Sequence, residues 1–189
     1  MMIGLALALV FTQLATQPSP PPVKCFLDSE AKRANAQLSF ENFDQIGTLP
    51  SSWRRLAEAE CNAEAADAIL DYLINGPILT PSQHRVVLFH MGQTLALMGE
   101  ERRAADFVVA SKTTATTQVT KETLNWNDYV IGTWAFLTKD CALLIKSRDV
   151  VLASGPRNTK NASLLEALER CFEKPYRIAY NVSCDKSTK

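Results

Sequence analysis

Residues 80–110 read TPSQHRVVLFHMGQTLALMGEERRAADFVVA, and the fold follows from how this stretch starts, turns and ends. Thr80, Pro81 and Gln83 are three start signals in one place. The threonine hydroxyl can accept from an unpaired N–H, the proline lacks an N–H where none is needed, and the glutamine can reach back to the cap. Val87, Leu88, Met91, Leu95 and Met98 recur at helical spacing and form the expected core face. Gly99 ends that helix, and another begins at once from Glu100, burying Ala104, Ala105, Val108 and Val109. The stretch therefore reads as a helical hairpin.

The flanks read the same way. Upstream, Ser51 or Ser52 can cap a helix bearing Trp53, Leu56 and Ala57 that runs to about Cys61. The next carries Ala66, Ile69, Leu70 and Leu73 in one stripe. It stops at Asn75-Gly76-Pro77, where the glycine is expected in a left-handed C-cap. Residues 24–50 are expected to be an irregular lead-in with one short helix at most. Downstream, Thr113 to Thr120 has no pattern and reads as a loop. Helices are expected from Trp126 to Leu137, around Leu143, Leu144, Val150 and Val151, and around Leu164, Leu165 and Leu168. Pro175 opens a last short one with Tyr176 and Tyr180. No stretch alternates with period two, so the fold class is all-α, built of stacked helical hairpins.

The 189 residues suffice for one domain with a real core and are too few for two comfortable ones. An apolar share of 47% excludes both a disordered chain and a polytopic membrane protein. Basic and acidic residues balance at 20 each, which removes a bulk electrostatic case for nucleic acid. The balance hides an asymmetry: residues 1–100 carry a net −4 and residues 101–189 a net +4. Two solvated faces explain this most simply; a dipolar surface that orients a partner is the sharper alternative.

Residues 1–16 hold no charged side chain, and Ile3 to Phe11 form an apolar run the length of a signal-peptide core. That is well short of the roughly 20 residues a membrane span needs. Gln17-Pro18-Ser19-Pro20-Pro21-Pro22 then forms an extended spacer rather than a helix leading into a core. The expected organisation is a signal peptide and spacer over residues 1–23 and a single helical domain over 24–189, exported to the periplasm or the exterior. The mature chain would begin between about Thr16 and Lys24, with no stable membrane span after processing; an uncleaved anchor is the alternative.

Export gives the five cysteines meaning, since an odd count in an oxidising compartment allows two bridges and one free thiol. Cys171–Cys184 is the first expected pair, because the Pro175 turn lets the chain fold back across that separation. Cys25–Cys61 is the second, leaving Cys141 as a buried thiol.

The hairpins resemble one another. Met91-Gly92, Leu95, Gly99, Ala104 and Val108 sit at the offsets of the tetratricopeptide pattern, in which small residues let two helices approach and bulky ones fill the opposing holes. Trp53, Leu56, Ala57, Ala66 and Leu70 form a looser copy, and Tyr129, Gly132, Phe136 and Leu144 another. The chain thus resembles a degenerate tetratricopeptide-like (TPR-like) array. Phe43-Asp44, Trp53 to Ala59, Cys61 with Ala65-Ala66-Asp67, Trp126 to Tyr129, Ala135 to Leu137, Cys171-Phe172 and Lys174-Pro175-Tyr176 also resemble a group of uncharacterised exported bacterial helical proteins. That resemblance implies export and a helical fold, and no catalytic residues.

No catalytic, cofactor-binding or metal-binding set emerges from the residues themselves. His84 and His90 are six apart on one helix, so they face different sides, where paired metal ligands want three or four. Glu58, Glu60 and Glu64 read as a solvated edge, and Trp53, Trp126 and Trp134 as packing. Cys61 and Cys141 have no nearby histidine and no glycine-rich oxyanion motif. Asn161 and Asn181 begin sequons that matter only in a eukaryotic secretory route. The expected function is therefore non-catalytic binding of a protein or peptide partner in the cell envelope. The alternative is a small secreted hydrolase or thiol enzyme on a helical scaffold. A groove with contiguous aromatics and charges would favour the first; a deep pocket with a cysteine or histidine beside a carboxylate would favour the second.

Overall fold

The structure, a computed structural model, describes residues 25–114, 123–181 and Cys184. The expected signal peptide and spacer, and the threonine-rich loop from residue 115 on, lie outside these residues. In chain order the helices are α1 (Ser29–Ala36), α2 (Trp53–Glu58), α3 (Asn62–Asn75), α4 (Pro81–Leu97), α5 (Glu101–Ala110), α6 (Trp126–Leu137), α7 (Cys141–Ala153), α8 (Thr159–Arg170) and α9 (Tyr176–Asn181). A π-helical turn, Glu41–Ile46, precedes α2, and a 3-10 turn, Pro156–Asn158, precedes α8. The described residues contain helices and turns and no strand.

α4 starts as its residues dictate. The Gln83 N–H donates to the Thr80 hydroxyl at 3.3 Å, and the Thr80 N–H donates back to the Gln83 side chain at 3.0 Å. From α2 onward each helix packs on its successor, α6 also meets α8, and α9 returns to α4. Two glycines set the closest approaches. A Cβ on Gly92 would lie 2.6 Å from Val108 Cγ2 and 3.0 Å from the Ala104 carbonyl, so α4 and α5 nearly touch there. A Cβ on Gly132 would lie 2.8 Å from the Leu165 methyls, so the same device seats α8 against α6.

Three hairpin turns share one hydrogen-bond scheme. The N–H of Cys61 donates to Leu56 O at 2.8 Å, that of Glu100 to Leu95 O at 2.9 Å, and that of Asp140 to Ala135 O at 2.8 Å. The residue before each donor is left-handed: Glu60 at φ 61°, Gly99 at φ 87° and Lys139 at φ 61°. This is the Schellman closure, which satisfies the last carbonyls of one helix while reversing the chain into the next. Only the middle copy uses glycine, so the flanking two hold an L-residue where it costs roughly 1–2 kcal/mol.

Several expectations are corrected. The lead-in holds the short helix expected of it, α1, capped by Asp28 through Ala31 N–H at 2.8 Å, but it adds a π-helical turn where irregular chain was expected. Ser52 precedes α2, but its hydroxyl accepts from Leu49 N–H behind it rather than from the helix. Gly76 is extended at φ −78°, not left-handed; a Cβ there would lie 2.5 Å from the Tyr72 carbonyl, so close approach explains the residue. Leu70, Val109 and Val150 are exposed rather than buried. On α3 the buried set keeps Ala66 and Ile69 and adds Ala65, Ala68 and Tyr72, whose ring stacks on Phe43 at 3.8 Å. On α4, Phe89 is buried while Leu88 and Met98 are only half-buried. Neighbours on several sides (α3, α5 and α9) enclose this helix, so no single stripe describes its buried set.

Candidate functional site

The π-helical turn places Asp44 completely inside the protein. One carboxylate oxygen meets His90 Nδ1 of α4 at 2.8 Å, and the other accepts from the Gln45 side-chain amide at 2.5 Å. The Arg54 Nε–H donates to the Asp44 backbone carbonyl, and the Arg54 guanidinium sits 4.4 Å over the Trp53 ring. Trp53 in turn lies 4.8 Å from the His90 ring. Asp44 and His90 are 46 residues apart, and only the packing of the turn on α4 joins them. The same carboxylate acts on Tyr72: burial, and secondarily the Asp44 charge, push its phenol up to about 12.

Above this cluster lies a groove of about 600 Å³. Trp53, Arg54, Ala57 and Glu58 of α2 line it, with Glu60 and Asn62 at the following turn. Gln93, Thr94 and Leu97 of α4 and Arg177, Ile178, Tyr180 and Asn181 of α9 complete it. Thr94 is buried, so α4 forms the bottom, while Arg177, Tyr180 and Asn181 are exposed on the far wall. α9 is held there from beneath. Tyr176 is fully buried, its backbone N–H donates to the Glu101 carboxylate at 2.6 Å, and its hydroxyl accepts from the Gln93 side chain at 3.2 Å. Burial raises the Tyr129 and Tyr176 phenols well above the ordinary tyrosine range, so both are neutral donors or acceptors at any physiological pH.

His84 is exposed and His90 is wedged beneath Trp53, which matches the reading that they face different sides. Among the described residues, no hydroxyl or thiol is hydrogen-bonded to the second ring nitrogen of His90. The Thr94 hydroxyl, one turn on, donates to the His90 backbone carbonyl at 2.8 Å. A carboxylate thus orients the His90 imidazole, while the Thr94 hydroxyl is committed to the backbone. Glu58 pairs with Arg55 at 2.8 Å, whereas Glu60 projects from its left-handed turn at the groove rim. Trp126 is a packing residue whose indole donates to Ser111 O at 2.8 Å.

Both expected cysteine pairs are bridged, Cys25 to Cys61 with Cα atoms 5.1 Å apart and Cys171 to Cys184 at 5.5 Å. Cys141 corrects the expectation of a buried thiol: it is free and exposed. It occupies the first turn of α7, whose buried side chains are Leu144, Ser147 and Val151 on another face. Cys25, Cys61 and Glu64 bring possible ligand atoms within 4.8 Å of one another, but both sulfurs are held in the disulfide and offer no thiolate to a metal.

What reasoning from sequence missed is the lining of the groove, since it comes from residues 53–62, 93–97 and 177–181. A comparison with known proteins finds no matching family model, no matching curated protein and no matching solved structure.

Proposed function

We propose that this protein is an exported, non-catalytic binding module, and that the groove between α2, α4 and α9 holds a peptide segment of another envelope protein. The groove carries the reading. It brings aromatic rings, amide side chains and charges of both signs together on one concave surface, while the His90 imidazole lies against the Trp53 ring. Two disulfides support passage through an oxidising compartment, and no described helix is long and apolar enough to cross a membrane. The three equivalent turns, at spacings of 39 and 40 residues, support the kinship with TPR-like hairpins within the same proposal.

The test is selection of a random peptide library on the oxidised full chain and on an Ala57→Trp variant, whose indole would occupy the groove. Peptides retained by the parent and lost by the variant are the expected result. Equal retention by both would place binding elsewhere and end the groove reading. The enzyme alternative draws on the Asp44–His90 pair. A hydrolytic or thiol-dependent turnover that disappears in His90→Gln, with the helical circular dichroism intact, would replace the binding proposal.

A further inference from the structure

The unpaired charge of the groove points to the chemistry of its occupant. Glu58 is paired with Arg55 at 2.8 Å. Arg54 and Arg177 line the groove from α2 and α9, and among the described residues neither guanidinium has a carboxylate within ion-pair distance. Arg54 is also pre-positioned: its Nε is committed to the Asp44 carbonyl and its plane lies over Trp53, which leaves its two terminal nitrogens as donors. Glu60 also lines the groove, from the left-handed turn after α2, and carries the opposite charge. Beside the two guanidinium groups, Leu97, Ile178 and the ring of Tyr180 form an apolar bed.

Resting on the groove reading above, we infer that the groove selects a peptide bearing a carboxylate next to a bulky apolar side chain, the carboxylate meeting Arg54 and Arg177 and the apolar group lying on Leu97, Ile178 and Tyr180. A planar carboxylate matches the guanidinium fork in two parallel hydrogen bonds, an arrangement a lysine ligand cannot reproduce. The carboxylate can belong to an Asp or Glu side chain or to a chain terminus, and the shared chemistry is the same.

The test uses fluorescein-labelled decapeptides with a central Asp-Phe, Asn-Phe or Lys-Phe pair, each with a free or an amidated C-terminus. Anisotropy is measured on the oxidised full chain. The Asp-Phe peptide should bind roughly tenfold more tightly than Lys-Phe and should weaken in high salt. Retention of that preference after amidation assigns it to a side-chain carboxylate; transfer of the preference to whichever peptide has a free end assigns it to a terminus. Arg177→Glu, at an exposed position of α9, should abolish or invert the preference. Equal binding of the three peptides, tighter binding of Lys-Phe, or an unchanged preference in Arg177→Glu would overturn the inference. Charge-blind binding that is still lost in Ala57→Trp would leave the groove reading standing without it. Absence of binding by all the peptides would also overturn it, and library selection on the groove would then decide the broader reading separately.

Discussion

Among the described residues between Pro81 and Ala153 there is no cross-link: α4 has 17 residues and α7 has 13, and Gly92 and Gly132 let neighbouring helices close on one another. At the two ends the helices are short. α1 has 8 residues, and α2 and α9 have 6 each, too few to be stable on their own account. There the chain is stapled, by Cys25–Cys61 at one end and Cys171–Cys184 at the other. Long helices draw stability from a wide buried face; short ones borrow it from covalent closure. The groove lies where the two regimes meet, with stapled α2 and α9 as walls over the packed α4.

The largest effect should come from the staples. Replacing Cys25 and Cys61 by serine opens a 36-residue loop and should cost about 4 kcal/mol in the chain-entropy account. Opening the 13-residue loop of Cys171–Cys184 should cost about 3 kcal/mol. Urea unfolding of both variants measures the difference, and an equal loss would mean that strain or residual structure, not loop length, governs the ends.

The packed middle should answer to volume instead. Gly92→Val forces a side chain against the Ala104 carbonyl and Val108, and a backbone atom cannot yield, so a loss of about 3 kcal/mol is expected. Gly132→Val meets the ends of the Leu165 side chain, which can turn, and should cost nearer 1–2 kcal/mol. Thermal denaturation of the two variants side by side would show the ranking, and a reversed order would break the account of α4 and α5 as the tightest pair.

Alkali distinguishes the regions in another way. The Tyr72 phenol is raised in the folded state to about 12, above its ordinary value near 10. Its contribution is therefore complete below pH 10 and is lost as pH rises through 12, because the unfolded chain releases that proton first. Tyr129, in the middle, is pushed further in the same direction. Absorbance at 295 nm with circular dichroism should show the Phe43–Tyr72 end loosening before the middle; simultaneous loss would mean the two are one cooperative unit.

The smallest effect lies in the turns. Glu60→Gly relieves a left-handed L-residue and should gain roughly 0.5–1 kcal/mol. Lys139→Gly should gain nothing. Its ammonium donates to the carbonyls of Phe172 at 3.1 Å and Lys174 at 3.4 Å and lies 4.3 Å over the Phe136 ring, all of which the glycine removes. Chemical denaturation to a few tenths of a kcal/mol suffices to separate them.

The middle was legible because its signals are local. Thr80, Pro81 and Gln83 announce α4 within four residues, and the bounds of α6 follow from Trp126 and Leu137 alone. Gly76, Leu70 and Cys141 misled because each was judged by its neighbours in sequence. A glycine before a proline suggests a left-handed cap, and only Tyr72 shows that close approach is the reason. An odd cysteine suggests a core thiol, and only the buried face of α7 shows that Cys141 points elsewhere. The Asp44–His90 pair and the groove depend on contacts across 46 and more than 80 residues, and no spacing rule reaches that far.

The placement of the two bridges also decides how the molecule would bear tension. A pull on the termini passes from Cys25 directly to Cys61 and from Cys171 directly to Cys184, so the intervening segments carry no load. α1, the π-helical turn and α2 are short-circuited at one end, and α9 at the other. Between Cys25 and Cys184 the segment that can pay out is the chain from Cys61 to Cys171, about 110 residues or roughly 370 Å when extended. Of the groove, α4 and Asn62 at the start of α3 lie on that loaded path. A stretched chain would thus peel the groove's base away from two walls that remain tied to the points of attachment.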